Sequence, residues 1–142
     1  KNSMKDTFVT TKDEEFFQGI LGADYGFVNG VTLIAEALYS SKKFSYQERV
    51  LNIDSEIASN LVGSNFYTAI SLSYSFNIFL DGSLLYIESF NDKNSRFISP
   101  SLTYTLNDYN TLSIGAMLGD GSASSEFGSL GDSHYFKWSL SF

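Results

Sequence analysis

Hydrophobic and polar residues alternate along most of this chain, in blocks of about ten residues, which is the period-two signature of β-strands with two unlike faces. In "FFQGILGADYGF", Phe17, Gly19, Leu21, Ala23, Tyr25 and Phe27 share one face, and Gln18, Ile20, Gly22, Asp24 and Gly26 the other. The next block sets Val31, Leu33, Ala35, Ala37 and Tyr39 against Thr32 and Glu36. Further along, Phe66, Thr68, Ile70, Leu72, Tyr74 and Phe76 oppose Tyr67, Ala69, Ser71, Ser73 and Ser75. Less regular is "FLDGSLLYIES", where Leu80, Gly82, Leu84 and Tyr86 face away from Asp81 and Ser83. Ile98, Pro100, Leu102, Tyr104 and Leu106 oppose a run of Ser and Thr, and Leu112, Ile114, Ala116 and Leu118 oppose Ser113, Gly115 and Gly119. The closing "HYFKWSLSF" sets Phe136, Trp138, Leu140 and Phe142 against Tyr135, Lys137, Ser139 and Ser141. Seven strands are predicted.

Short connections around Val28–Gly30, Phe76–Phe79 and Asn107–Asn110 alternate strictly with longer polar ones, Ser40 to Ser64, Asn91 to Ser95 and Gly119 to Ser133. That is the plan of an up-and-down barrel with tight turns on one rim and long loops on the other. Within the 40–64 loop, Val50, Ile53, Ile57 and Leu61 recur at helical spacing and predict a short amphipathic helix.

The polar faces separate two β architectures. A soluble sandwich or barrel decorates its outer face with Lys, Glu and Arg. Here the polar face is Ser, Thr and Gly, which suits a barrel interior or a water-lined wall. Charged residues are only 18 % of the chain against 16 % aromatics, and no stretch is apolar enough for a membrane helix. On the apolar face, Tyr25, Phe27, Tyr74, Phe76, Tyr104 and Phe142 gather towards the short turns, and Phe17, Tyr39, Phe66 and Phe90 towards the loops. Two aromatic belts around an aliphatic band predict strands crossing a bilayer. The fold class expected is therefore all-β, an antiparallel up-and-down transmembrane β-barrel.

Resemblance adds to this reading. "YFKWSLSF" resembles the final strand of bacterial outer-membrane β-barrel proteins, and "GADYGFVNGVTLIAEALYS", "FYTAISLSYSF", "ISPSLTYTLND" and "SEFG" resemble the C-terminal part of porin-like proteins. The resemblance spans nearly all of residues 16–142 through loose motifs. It implies location in the outer membrane of a Gram-negative bacterium and contact with outer-membrane lipid and lipopolysaccharide. It also implies an insertion signal, carried by Phe136, Trp138, Leu140 and Phe142, that is read by the barrel-insertion machinery.

With Phe142 placed at the periplasmic rim, residues 1–15 become the remnant of an extracellular loop, residues 16–142 the barrel strands and 40–64 a long extracellular loop. No signal peptide is read at Lys1. Seven is an odd count, whereas such barrels have an even one. The expectation is about seven strands of a larger barrel, the rest supplied by an upstream segment or companion chain. The alternative is a complete small eight-stranded barrel using "SMKDTFVTT", whose Met4, Phe8 and Val9 alternate poorly.

Chemistry is sparse. Asp24, Glu36, Asp81 and Lys137 are the ionisable residues on the inner faces and are read as pore-lining, mildly favouring cations in a wide channel; in a narrow barrel the same groups would pair into a plugged interior. The function expected is passage of small solutes, with a non-conducting structural or surface-binding barrel as the alternative. Lys42, Lys43, Arg49, Lys93 and Arg96 lie on the loop side, within reach of lipopolysaccharide phosphates or simply solvated. No catalytic residues are assigned: His134 is the only histidine, and Asp132, Ser133 and His134 are consecutive on or beside a strand, so they do not form a triad. Asp120, Glu126 and Asp132 match no calcium-loop spacing, and their loop is read as flexible and solvated. No cofactor or metal is expected, cysteine is absent, and a net charge of −7 without a basic run argues against nucleic acid.

Overall fold

The computed structural model describes residues 17–43, 63–90 and 94–141, which form one antiparallel sheet of seven strands in chain order. These are β1 (Gln18–Gly26), β2 (Thr32–Ser40), β3 (Phe66–Ser75), β4 (Leu80–Phe90), β5 (Ser95–Asn107), β6 (Asn110–Asp120) and β7 (Ser133–Leu140). The predicted strands and their up-and-down order are present, and the described residues contain no helix. The predicted helix over Val50–Leu61, the 1–15 segment, Arg49, Lys93 and Phe142 lie outside the described residues.

Each short turn is built on an asparagine. The Asn29 Oδ1 accepts the Val31 N–H (3.2 Å), Asn77 Oδ1 the N–H groups of Phe79 and Leu80 (2.8 and 3.0 Å), and Asn107 Oδ1 that of Tyr109 (3.0 Å). An Asn side chain that takes over a backbone acceptor's role stabilises a tight reversal. In the first turn Gly30 adopts φ 89°, the left-handed region open to a residue without Cβ.

The register places the predicted apolar positions within the seven strands on a common face. Tyr25, Leu33, Leu72, Leu84 and Pro100 follow one another across β1 to β5, and Tyr104, Leu112 and Trp138 across β5 to β7. Between β5 and β6 the pairing skips Ser99 and Pro100, as expected where proline has no N–H to give.

The strands are also staggered. Gly26, Thr32, Ser73, Ser83, Ser101, Gly115 and Tyr135 lie on one line across the sheet. Gly26 is the last residue of β1, whereas β7 continues past Tyr135 to Leu140. Relative to the short turns the line has climbed about five residues, or ~17 Å, over ~29 Å of sheet, a slope of about 30°. Stagger of this kind is what a sheet needs in order to curl towards a barrel. At that slope the apolar face of β5 between Ile98 and Leu106 covers about 23 Å of height.

The sheet is open. β1 pairs only with β2 and β7 only with β6. It also has no hydrophobic core of the ordinary kind. Among the described residues the fully buried side chains are Ser40, Ser64, Ser89 and Ser95, all at the long-loop rim, while Leu21 is 79 % exposed, Phe136 71 % and Ile114 59 %.

Candidate functional site

The two faces of the sheet differ in chemistry. On the apolar face, aromatic clusters stand at both ends of the strands. Tyr25 meets Phe27 edge-on at 4.8 Å and Tyr74 meets Phe76 at 5.0 Å near the short turns, where the Phe79 and Tyr104 rings also approach. Phe66 and Phe90 pack at 5.5 Å at the opposite end. Trp138 donates its Nε1–H to Asn110 Oδ1 at 3.1 Å, so the ring is apolar along its body and anchored at its polar tip. Across β4 to β6 the aliphatic band stops at a row of charges, Glu88, Arg96 and Asp120, with Arg96 3.9 Å from Glu88 and Tyr86 donating to Glu88 at 3.0 Å. Arg96 is thus held in an ion pair at the edge of the apolar band. A groove of about 950 Å³ crosses this face, with small residues Gly82, Pro100 and Ala116 along it and Tyr74, Leu102 and Phe136 beside them.

The opposite face carries the four residues read as pore-lining. Asp24 and Glu36 are near neighbours on β1 and β2, since Asp24 pairs with Ile34 and Glu36 with Gly22. Asp81 stands on β4 and Lys137 on the edge strand β7, opposite Ser113. All four are exposed and on one face, yet they do not converge: they are distributed over the width of the sheet. Around Asp81 the wall is made of hydroxyls. Ser75 donates to Asp81 Oδ1 at 2.5 Å, Ser83 and Ser101 bond at 2.7 Å, and Thr103 and Ser113 at 3.0 Å. Thr32, Ser73, Ser75, Asp81, Ser83 and Ser101 line a polar pocket of about 320 Å³.

This hydroxyl face is not uniform, which corrects the expectation of an almost wholly Ser, Thr and Gly surface. Its short-turn half is polar. Its loop half carries Ile20, Leu38, Ala69, Ile87 and Phe97 in adjoining registers. The β6–β7 loop packs on that apolar half, which corrects the expectation of a simply solvated loop. Phe127 packs on Phe97 at 5.8 Å, and its N–H donates to Ser95 Oγ at 3.3 Å. Glu126 accepts the Tyr67 hydroxyl and, at 3.4 Å, the Ser89 hydroxyl, tying the loop to β3 and β4. Glycine makes the approach possible: a Cβ on Gly119 would run into the Phe127 and Leu130 carbonyls, and one on Gly121 would stand 2.5 Å from Ser125 Oγ. The run of Gly and Ser from Gly119 to Ser129 was the available sequence signal. Glu126 as a reaching carboxylate carried none, because its partners lie 37 and 59 residues away.

Of the residues read as an insertion signal, Phe136 and Trp138 project from the apolar face 71 % and 66 % exposed, with Leu140 at 49 %. His134 pairs with Ala116 on that same face, and Ser133 falls on the other. Among the described residues no group of three or more His, Cys, Asp or Glu is placed to hold a metal ion. No protein-family model matches the chain, nor does any curated protein or any solved structure.

Proposed function

We propose that this sheet is part of a transmembrane β-barrel wall in the outer membrane of a Gram-negative bacterium, its apolar face against lipid and its hydroxyl face lining a path for small polar solutes. The observation that carries the reading is the exposure of the apolar face: it spans all seven strands, and among the described residues the fully buried side chains are serines. In water, exposed apolar patches larger than a few hundred Å² are uncommon. Against hydrocarbon the same face needs no cover. Its height of about 23 Å is close to the ~25 Å apolar band of such barrels, and aromatic clusters flank it on both sides. The groove along Gly82, Pro100 and Ala116 then fills with acyl chain. Lipopolysaccharide and the barrel-insertion machinery are the partners this location implies, with the β7 aromatic positions as the insertion signal.

Solute passage rests on the hydroxyl wall with Asp24, Glu36, Asp81 and Lys137, three acidic groups and one basic. A second reading, a non-conducting barrel, is favoured by one feature: the β6–β7 loop lies across the loop half of the same face and narrows whatever space that face encloses. Conductance of the detergent-extracted protein in planar bilayers tests both. Discrete steps with weak cation preference support a channel; a membrane-inserted protein without steps supports the second reading. A protein that stays monodisperse without detergent would overturn both.

A further inference from the structure

We infer that the short-turn half of the hydroxyl face holds a saccharide site, built on Asp81, Ser83, Ser101 and Tyr135, which takes one sugar ring by its hydroxyl edge and by its C–H face. The site names the solute class for the path proposed above and rests on that reading. Two adjoining rows of the sheet supply its groups. Thr32, Ser73, Ser83, Ser101, Gly115 and Tyr135 are paired in succession from β2 to β7. Ser75, Asp81, Thr103, Ser113 and Lys137 are paired in the same way from β3 to β7, two residues nearer the short turns. Alternate residues of a strand share a face, so both rows look into the same space. The β6–β7 loop lies on the other half of this face and leaves the two rows open.

Hydroxyl groups match a saccharide because each both donates and accepts. Ser83 and Ser101 stand 2.7 Å apart and Thr103 and Ser113 3.0 Å, so each pair shares one proton and keeps an O–H and lone pairs for a ligand. Ser75 donates to Asp81 Oδ1 at 2.5 Å, and among the described residues nothing donates to Oδ2. That oxygen is a charge-assisted acceptor for a sugar hydroxyl. The pocket over these groups holds about 320 Å³, at the small end for small-molecule sites and suited to one sugar ring with its water. The aromatic part comes from β7. Tyr135 lies over Gly115, where a Cβ would stand 2.5 Å from Oη and 2.6 Å from Cζ, so the glycine gives the ring its seat. Gly115 pairs with Ser101, which brings the ring to the edge of the pocket. The negative face of an aromatic ring attracts the weakly positive C–H face of a sugar. Other solutes fit these groups less well. An amino acid carries its opposite charges on neighbouring carbons, whereas Asp81 and Lys137 are three ladder steps apart, about 14 Å between their backbones. A bare metal ion finds, among the described residues of the pocket, one carboxylate, with a hydrogen bond already on one oxygen.

Saturation-transfer NMR of the detergent-extracted protein, titrated with D-glucose, D-galactose and N-acetylglucosamine, tests this, with the open-chain polyol D-mannitol for comparison. The expected result is a saturable signal from at least one of the sugars, strongest on the C–H protons of one ring face, and weaker binding of mannitol. Asp81→Asn weakens the sugar about tenfold. Tyr135→Leu weakens it about fivefold and removes the bias towards one ring face. Gly115→Ala, which displaces the ring without removing it, gives a smaller loss. Asp132→Asn makes the same charge change in the β6–β7 loop and leaves the affinity unaltered. The inference is overturned by the absence of a saturable signal from all three sugars, by mannitol binding as tightly as they do, or by full affinity in both Asp81→Asn and Tyr135→Leu. Failure of the solute path is read separately, from conductance in planar bilayers. Steps without sugar binding keep the channel and overturn the site; sugar binding without steps keeps the site on a non-conducting barrel.

Discussion

Replacing Ile114 by lysine separates lipid from water as the neighbour of the apolar face. Ile114 lies near the middle of β6, between Leu102 on β5 and Phe136 on β7, and is 59 % exposed. Full burial of an isoleucine side chain is worth ~1.5–3 kcal/mol, so moving its exposed three-fifths from water into lipid contributes about 1–2 kcal/mol. Ile114→Lys forfeits that and adds the penalty for a charged head in hydrocarbon, for a total of about 3 kcal/mol, within the ~2–4 kcal/mol seen for lysine at the midplane of such barrels. This is roughly a hundredfold change in the folding equilibrium. Two companion variants make the result specific. Leu106→Lys, one residue from the short-turn end of β5, costs about 0–1 kcal/mol because the side chain reaches the interface. Ser73→Lys, exposed on the hydroxyl face, changes stability by less than about 0.5 kcal/mol. The assay is urea unfolding of the complete assembly from phospholipid vesicles, with Trp138, the chain's single tryptophan, as one of the probes. An Ile114→Lys variant as stable as the parent would refute the reasoning. So would a cost at Leu106 equal to that at Ile114, since a protein partner, unlike a bilayer, has no depth profile.

Three further outcomes are expected. Tyr67→Phe and Glu126→Gln each loosen the β6–β7 loop and raise proteinase K cleavage within residues 121–132; a double-mutant cycle gives a coupling of about 1 kcal/mol, and zero coupling would mean the contact does not hold the loop. Gly115→Ala destabilises by less than about 1 kcal/mol in the same urea assay, because the new Cβ would stand 2.5 Å from Tyr135 Oη, the free end of an exposed side chain that can swing aside, and Tyr135→Leu in the same chain removes the loss; a cost above about 2 kcal/mol would mean that the Tyr135 ring is held in place. Glu36→Lys, on the hydroxyl face opposite Gly22, lowers any cation preference measured as reversal potential in a salt gradient; an unchanged potential removes Glu36 from the path.

Strand number, order and facing were legible in the sequence because alternation is a local property: once the backbone is extended, side chains at i and i+2 share a face whatever lies beyond. The asparagine turns at Asn29, Asn77 and Asn107 are local for the same reason. So were the aromatic clusters, since each sits at a strand end that the turns define. Three things waited for the tertiary structure. Stagger depends on how six ladders register in succession, and no single strand records it. The apolar half of the hydroxyl face comes from Leu38, Ala69, Ile87 and Phe97 on four different strands, each of which looks like an isolated exception in its own segment. The seat of Glu126 between Tyr67 and Ser89 joins residues from separate strands across the β5 ladder, a contact set by sheet geometry rather than by any spacing along the chain. Alternation is short-ranged and was written in the residues. Register and loop docking are long-ranged, because they are sums over many pairings, and only the folded sheet carries them out.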